Sequence, residues 1–254
     1  MKRSSLFLAA AAALASSGCN AEGGSNSAAA TSADAGAVAG EAVTPPANGD
    51  WSQVVRATPQ GGFVMGNPNA KAKLVELGSM TCPHCAEFEE TAGAALVQKY
   101  VKTGQVSWEF RNFVRDPFDI AASLIARCNG AKTFFPLTRA LYSDQREWID
   151  RLQSAPEAQL QAVTALGPDK QFLEVAKLAD LQKWAAQRGV PTAKSTQCLT
   201  DQTGVNQLVQ MNSDVASQYP DFKGTPSFVL NGKLLDATAT WEKLEPQLKA
   251  AVGS

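Results

Sequence analysis

The chain has 254 residues, of which 44% are hydrophobic and 19% charged, with 23 basic and 24 acidic side chains. This near-neutral balance argues against a nucleic-acid-binding protein, which typically carries an excess of basic side chains. The length is sufficient for one sizeable hydrophobic core.

Residues 1–19 predict an export signal. Lys2 and Arg3 precede an apolar run that is followed by small residues ending at Cys19. The run is shorter than the roughly 18 apolar residues that a membrane helix needs, and no other stretch approaches that length. We therefore expect the remainder to be a soluble, exported domain. Without Lys2 and Arg3 the basic count falls to 23 − 2 = 21, against 24 acidic residues, which gives a net charge of −3.

The end of the signal, "LASSGC", resembles the lipobox of bacterial lipoproteins, in which the cysteine is lipidated. Ser16 stands where that motif usually has leucine. Lipidation of Cys19 is the favoured interpretation, and ordinary signal cleavage is the alternative. The five cysteines support lipidation, because it leaves four, which make two pairs. We expect a periplasmic location, with a lipid anchor at Cys19.

Residues 20–50 consist almost entirely of Ala, Gly, Ser, Thr and Pro. Such a composition cannot bury enough apolar surface to offset its ordering entropy, so it predicts a disordered tether. Folding is expected to begin near Trp51.

The first folded part, residues 51–115, is predicted to contain a βαβ unit. Residues 73–80 have mostly strand-forming side chains, 83–104 place apolar residues at helical spacing, and 105–114 form a second strand pattern. Together they span about 42 residues, the size of a βαβ unit.

Residues 116–220 are predicted to be helical only, with helices that include 167–189 and 201–219. In residues 221–254, the pair Asn231-Gly232 predicts a β-hairpin, and a closing helix follows. The order indicates a mixed α/β sheet with an inserted helical domain. The alternative, an independent helical domain, is disfavoured because the C-terminal hairpin has too few strands to be stable alone.

The stretch "SMTCPHC" carries Cys82, Pro83, His84 and Cys85, and His84 is the only histidine of the chain. Three interpretations compete for it. A structural zinc site needs four ligands, and no second CxxC or HxxxH completes the set, so we expect no metal. A structural disulfide is disfavoured because a loop this short gains little from closure.

A redox function has a physical basis in this stretch. Cys82 lies at the predicted start of a helix, where free N–H groups and the helix dipole stabilise a thiolate. Pro83 suits the first helical turn, and His84 is predicted to stabilise the same sulfur, with a merely solvated side chain as the alternative. Cys85 lies one turn deeper and is the expected resolving thiol. A stabilised thiolate makes the disulfide an oxidant.

The segment "LVELGSMTCPHCAEFEE" resembles the DsbA family of periplasmic thiol:disulfide oxidoreductases, which are thioredoxin folds with an inserted helical domain. The resemblance covers about Gly61 to Val252 and implies no cofactor. It also implies a cis Thr225-Pro226 bond in "GTPSF" that pairs with an extended client peptide. It further implies that Glu76 is buried and exchanges a proton with Cys85. An exposed strand glutamate is the alternative, and Glu109 and Arg111 are the candidates for an accompanying charged partner.

Cys128 and Cys198 are predicted to form a structural disulfide that brackets most of the helical segment, with two buried free thiols as the alternative.

These features predict an exported dithiol oxidase that introduces disulfides into other proteins. Its expected partners are reduced or misoxidised exported proteins and a membrane redox partner of the DsbB type, and we expect a monomer. The alternatives are a disulfide isomerase or reductase with few clients, and a peptide-binding lipoprotein without turnover.

Overall fold

A computed structural model of the protein describes residues 44–253. The predictions for residues 1–43, Cys19 among them, lie outside this range. Within it, no helix is both long enough and apolar enough to cross a membrane.

A six-stranded mixed sheet organises the described chain, with strand order β1-β2-β4-β3-β5-β6. Only β3 and β4 run parallel, and every other neighbouring pair is antiparallel. The strands are β1 (Val55–Ala57), β2 (Phe63–Met65), β3 (Ala72–Gly78), β4 (Val106–Asn112), β5 (Ser227–Leu230) and β6 (Lys233–Leu234).

Strand β3 is central, paired with β4 on one side and β5 on the other. Its sequence is largely apolar because both faces of the strand are covered. Glu76 lies opposite Phe110 of β4 and Phe228 of β5, so these three side chains share one face of the sheet. The β5–β6 turn is Asn231-Gly232, with positive φ at both residues, as predicted.

The predicted βαβ unit is present, with a long helical segment between β3 and β4. This segment begins as α1 (Pro83–Phe88) and continues through a π-helical turn (Glu89–Gly93), α2 (Ala94–Leu96) and a second π-helical turn (Val97–Val101).

Eight helices follow β4 before the chain returns to the sheet at β5, and one more closes it. They are α3 (Pro117–Arg127), α4 (Ala131–Ser143), α5 (Gln145–Gln153), α6 (Glu157–Thr164), α7 (Pro168–Leu178), α8 (Leu181–Ala186), α9 (Thr192–Leu199), α10 (Gln202–Gln218) and α11 (Trp241–Val252). Helices α3–α10 are called the helical insertion below.

The prediction of one helix over 167–189 is wrong, because the chain breaks between α7 and α8. Asp180 has a left-handed backbone with φ of 56° and interrupts the helix. Aspartate tolerates this conformation better than most residues, so the helix ends here without the glycine or proline that usually indicates a helix end in a sequence.

The sheet and the helical insertion share one hydrophobic core. Phe134 of α4 stacks on Phe63 of β2 with ring centroids 4.3 Å apart, and Phe135 lies 5.0 Å from Trp108 of β4. This packing fixes α4 against the sheet beside the β3–α1 loop.

Candidate active site

Cys82 and Cys85 lie where β3 passes into α1. Cys82 is the N-cap residue of α1, and Cys85 lies in its first turn. Both carry thiols and both are buried. The local fold follows from the sequence, because Pro83 occupies the first turn, where its missing N–H group is not needed.

The surroundings of Cys82 stabilise its thiolate. The Cys85 thiol lowers the pKa of Cys82 most, and the nearby Thr225 side chain and the backbone N–H groups of Cys85 and His84 lower it further, to about 5, against an opposing effect of burial. An ordinary cysteine titrates near pH 8.5. Cys82 is therefore a thiolate at neutral pH, which is the form that attacks disulfides.

Cys85 has the opposite character. Its side chain is fully buried, and burial raises its pKa well above the usual range; the neighbouring Cys82 and Glu76 raise it further. The pair thus combines one anionic and one protonated sulfur. This asymmetry separates an attacking thiolate from a resolving thiol.

Pro83 and His84 are both exposed. The backbone N–H of His84 is one of the groups that lower the pKa of Cys82. The contribution of the imidazole stays a prediction.

The Thr225-Pro226 bond is cis and lies beside Cys82. Cys82 Sγ lies 3.1 Å from the Thr225 carbonyl oxygen, which accepts a hydrogen bond from this sulfur when the thiol is protonated. Strand β5 begins one residue after Pro226 and pairs with β3, Leu77 opposite Ser227. This pairing places the loop at Thr225, which is 143 residues from Cys82 in sequence, next to Cys82 Sγ.

Glu76 is buried below the two cysteines, with 2% of its surface exposed, and accepts a hydrogen bond from Trp108 Nε1 at 3.1 Å. Burial raises its pKa well above the ordinary carboxyl range, and the nearby Glu89 and Cys82 raise it further. The alternative of an exposed strand glutamate is therefore wrong for this structure.

The candidates for its charged partner are wrong. Glu109 and Arg111 pair with each other over 2.6 Å. Because Phe110 shares the face of Glu76, its neighbours Glu109 and Arg111 point to the opposite face of the sheet.

A different pair of charged residues, Glu89 and Arg139, lies close to Glu76. Glu89 of the first π-helical turn is mostly buried and contacts Arg139 of α4, with 2.5 Å between Arg139 Nε and Glu89 Oε1. Burial raises the pKa of Glu89, and Arg139 partly offsets this. The sequence analysis did not identify this pair, because Arg139 lies 50 residues from Glu89 and only the fold joins them.

Three buried side chains of the helical insertion hold the loop before Cys82, and the sequence analysis did not identify them either. Asp119 of α3 accepts hydrogen bonds from Ser79 Oγ and Met80 N–H, Tyr142 of α4 donates to the Ser79 carbonyl, and Gln145 of α5 donates to the Met80 and Cys82 carbonyls. One local signal existed: the "DPFD" stretch places Asp119 three residues after the helix cap.

An open cavity of about 950 Å³ lies beside this loop, between α1 and the helices α4 and α5. Its walls combine Pro83 and Ala86 with Ile149, Arg139 and Arg146. It thus reaches the exposed side of the CPHC motif.

The structure joins Cys128 to Cys198 by a disulfide with an S–S distance of 2.04 Å. Among residues 44–253, no three His, Cys, Asp or Glu side chains are placed so that they could hold a metal ion.

Comparison with known proteins agrees with this geometry. Residues 58–250 match the family model described as Thioredoxin. A Rickettsia bellii protein named, provisionally, a protein-disulfide oxidoreductase is 30% identical over 171 residues, which are 67% of this chain and 57% of the relative. A Rickettsia prowazekii protein with a similar name is 28% identical over 67% of this chain and 54% of its own length. The chain therefore spans little more than half the length of these curated relatives.

Two crystal structures are similar in fold. A protein-disulfide isomerase from Novosphingobium aromaticivorans has a TM-score of 0.71 and 34% identity, covering 75% of this chain and 97% of the other. The α-DsbA1 protein of Wolbachia pipientis has a TM-score of 0.61 and 18% identity, covering 78% of this chain and 94% of the other, a likeness of fold.

Proposed function

Because the chain belongs to the thioredoxin family, as a DsbA-like member, we propose that it is an exported thiol:disulfide oxidoreductase that introduces disulfides into other proteins. One observation carries the proposal: Cys82 caps the N-terminus of α1 with Cys85 buried in the first turn, an arrangement that lowers the pKa of Cys82 and raises that of Cys85. Stabilising the Cys82 thiolate stabilises the reduced pair, so the Cys82–Cys85 disulfide accepts electrons readily.

The reaction begins from the Cys82–Cys85 disulfide. A client thiolate attacks Cys82 Sγ, the bond to Cys85 breaks, and Cys85 leaves and takes up a proton. A second client thiolate then attacks the client sulfur of the mixed disulfide, and Cys82 leaves as a thiolate. Two electrons pass from client to enzyme, and the client gains one disulfide.

Buried Glu76 is proposed to supply the proton to Cys85. Its raised pKa keeps a proton available near the leaving sulfur. The loop at Thr225-Pro226 is proposed to position the client, since its backbone beside Cys82 is suited to pairing with an extended peptide.

The proposed clients are reduced or misoxidised exported proteins, and the proposed electron acceptor is a membrane partner of the DsbB type. A periplasmic location, with a lipid anchor at Cys19, and a monomeric state belong to the same proposal.

Oxidation of a reduced model protein tests this function, alongside the equilibrium of the Cys82–Cys85 pair with a glutathione buffer. We expect client disulfides to form at the rate at which the enzyme disulfide is consumed. A strongly reducing pair that does not oxidise the client would overturn the proposal.

Disulfide isomerisation is the second candidate, favoured by the name of the Novosphingobium aromaticivorans protein at 34% identity. The variant Cys85→Ala separates the two functions. Isomerisation needs one attacking thiolate and no net electron transfer, so Cys82 alone would retain reactivation of a scrambled protein. Oxidation of a dithiol needs both sulfurs and is expected to be lost.

A further inference from the structure

The helical insertion contacts the segment between β3 and Cys82 through the carboxylate of Asp119, which does not contact the sulfur of Cys82 or of Cys85. Asp119 of α3 has no exposed surface. One carboxylate oxygen accepts a hydrogen bond from Ser79 Oγ at 2.5 Å, and the other accepts one from Met80 N–H at 2.9 Å. Asp119 therefore binds both a side chain and a backbone group of the segment that leads from β3 to Cys82.

Asp119 is itself fixed from the other side. Its backbone N–H donates to the Asp116 carboxylate at 2.8 Å, and its own carboxylate accepts from Arg115 N–H at 3.1 Å and from Ser123 Oγ at 3.3 Å. These contacts join the start of α3, which follows β4, to the loop that follows β3. A buried carboxylate with this many donors is held in one orientation.

The segment held by Asp119 determines where the Cys82 sulfur lies. Cys82 N–H donates to the Ser79 carbonyl at 3.2 Å, and Gln145 donates to the carbonyls of Met80 and Cys82 at 2.8 and 2.9 Å. The hydrogen bonds that stabilise the thiolate require Cys82 to lie against the first N–H groups of α1.

We propose that Asp119 is a positioning residue of the redox centre: through Ser79 and Met80 it holds Cys82 where the backbone N–H groups of α1 and the Thr225 loop reach its sulfur. The helical insertion thereby takes part in setting the redox equilibrium of the CPHC motif. The inference deepens the proposed function, because it concerns the same cysteine pair.

Asp119→Ala is the direct test, in the full chain, with the equilibrium constant against glutathione at pH 7.5 as the readout. Burial raises the pKa of Asp119 to about 6, so its carboxylate is mostly ionised at this pH. Loss of the positioning hydrogen bonds is expected to make the disulfide less oxidising by about three- to tenfold in the equilibrium constant. Asp119→Asn keeps one acceptor oxygen and is expected to lie between the parent and Asp119→Ala.

Asp201→Ala is the matched control, because Asp201 also accepts a hydrogen bond at the start of an insertion helix, from Thr203 N–H at 2.9 Å. Asp201 is the N-cap residue of α10, and its replacement tests the general cost of losing a side-chain hydrogen bond at a helix start. We expect its glutathione equilibrium to match the parent. An equal shift in Asp201→Ala and Asp119→Ala would overturn the specific role of Asp119.

Gln145→Ala removes the hydrogen bonds to the Met80 and Cys82 carbonyls, which hold the same segment. It is the variant to use if Asp119→Ala fails to fold. Its equilibrium constant is expected to shift in the same direction. Folded variants of Asp119 or Gln145 that keep the parent equilibrium would overturn the inference and leave the proposed function intact. A parent protein that exchanges with glutathione but does not oxidise clients would overturn the proposed function alone.

Discussion

The two cysteine pairs of the described chain lie at opposite kinds of helix end. Cys82 caps the N-terminus of α1, where N–H groups and the positive end of the dipole stabilise a thiolate. Cys128 caps the C-terminus of α3, and Cys198 lies in the last turn of α9. A carbonyl oxygen lies near each of these sulfurs, Lys194 O at 3.5 Å from Cys128 Sγ and Cys128 O at 3.6 Å from Cys198 Sγ, so a thiolate is disfavoured there and reduction is resisted.

Sequence separation adds to this difference. The sequence separation of 70 between Cys128 and Cys198 makes their bond an effective constraint on the unfolded chain, whereas a bond between Cys82 and Cys85, with two residues between them, would constrain it very little. Helix polarity and loop length thus assign one pair to electron transfer and the other to stability. Variants of the two pairs, and of the groups around Cys82 and Cys85, test this difference.

The largest expected effect is the loss of turnover in Cys82→Ser. A serine hydroxyl at this position cannot form the mixed disulfide, so oxidation of a reduced model protein should fall to the uncatalysed rate. The double variant Cys128→Ser/Cys198→Ser is the control and should remain active. Turnover by Cys82→Ser would remove Cys82 as the nucleophile.

The same double variant should lose the most stability. Opening a loop of 70 residues lowers the free energy of unfolding by about 4 kcal/mol in the chain-entropy description. Urea denaturation of the parent and the double variant measures this difference. A parent protein that shows two reactive thiols at Cys128 and Cys198 after oxidation would contradict the disulfide itself.

Glu76→Gln should reveal a pH-dependent cost of burying a carboxyl group. In the folded state the pKa of Glu76 is raised above its ordinary value of 4.5. The folded protein therefore binds the proton more tightly than the unfolded chain, and stability falls as pH rises above about 4.5, by about 1.4 kcal/mol for each pH unit up to the folded pKa.

The variant lacks this titration. Between pH 4.5 and 7.5 its free energy of unfolding should therefore rise relative to that of the reduced parent. A difference that stays constant over this range would show that Glu76 is not buried with a raised pKa.

The smallest expected effect is that of Thr225→Val on the reactive sulfur. The Thr225 side chain is one of the groups that lower the pKa of Cys82 to about 5. Its replacement by an isosteric apolar group should raise this pKa by less than about one. Thiolate absorbance against pH in the reduced protein measures the change. Thr200→Val, at the end of α9, is the control and should leave the titration of Cys82 unchanged.

Local chemistry made the βαβ unit, the CPHC site and the Asn231-Gly232 turn predictable from sequence. Each depends on residues close together in the chain, with a helix start or turn preference that a few side chains determine. The break at Asp180 was not predictable in the same way, because a left-handed aspartate has no distinctive neighbours.

The errors around Glu76 have a geometric cause. Whether Arg111 lies on the same face of the sheet as Glu76 depends on the register of β3 against β4. A shift of one residue in that register would move Arg111 to the other face. Arg139, Asp119 and Gln145 reach the site from the helical insertion. Their contacts arise from tertiary packing, which the order of residues alone does not reveal.

The helical insertion leaves the sheet at Asn112 and returns at Ser227, on the two strands that flank β3. These junctions lie at the same edge, opposite Gly78 and Leu77, and are two strand spacings apart, or about 10 Å. Both ends of the helical insertion therefore lie at the same end of the sheet, so the insertion could be removed as one continuous segment. A linker of about four extended residues would bridge that gap. Such an excision would remove Phe134 and Phe135 from the shared core, and the CPHC motif would lose the side chains that now hold it.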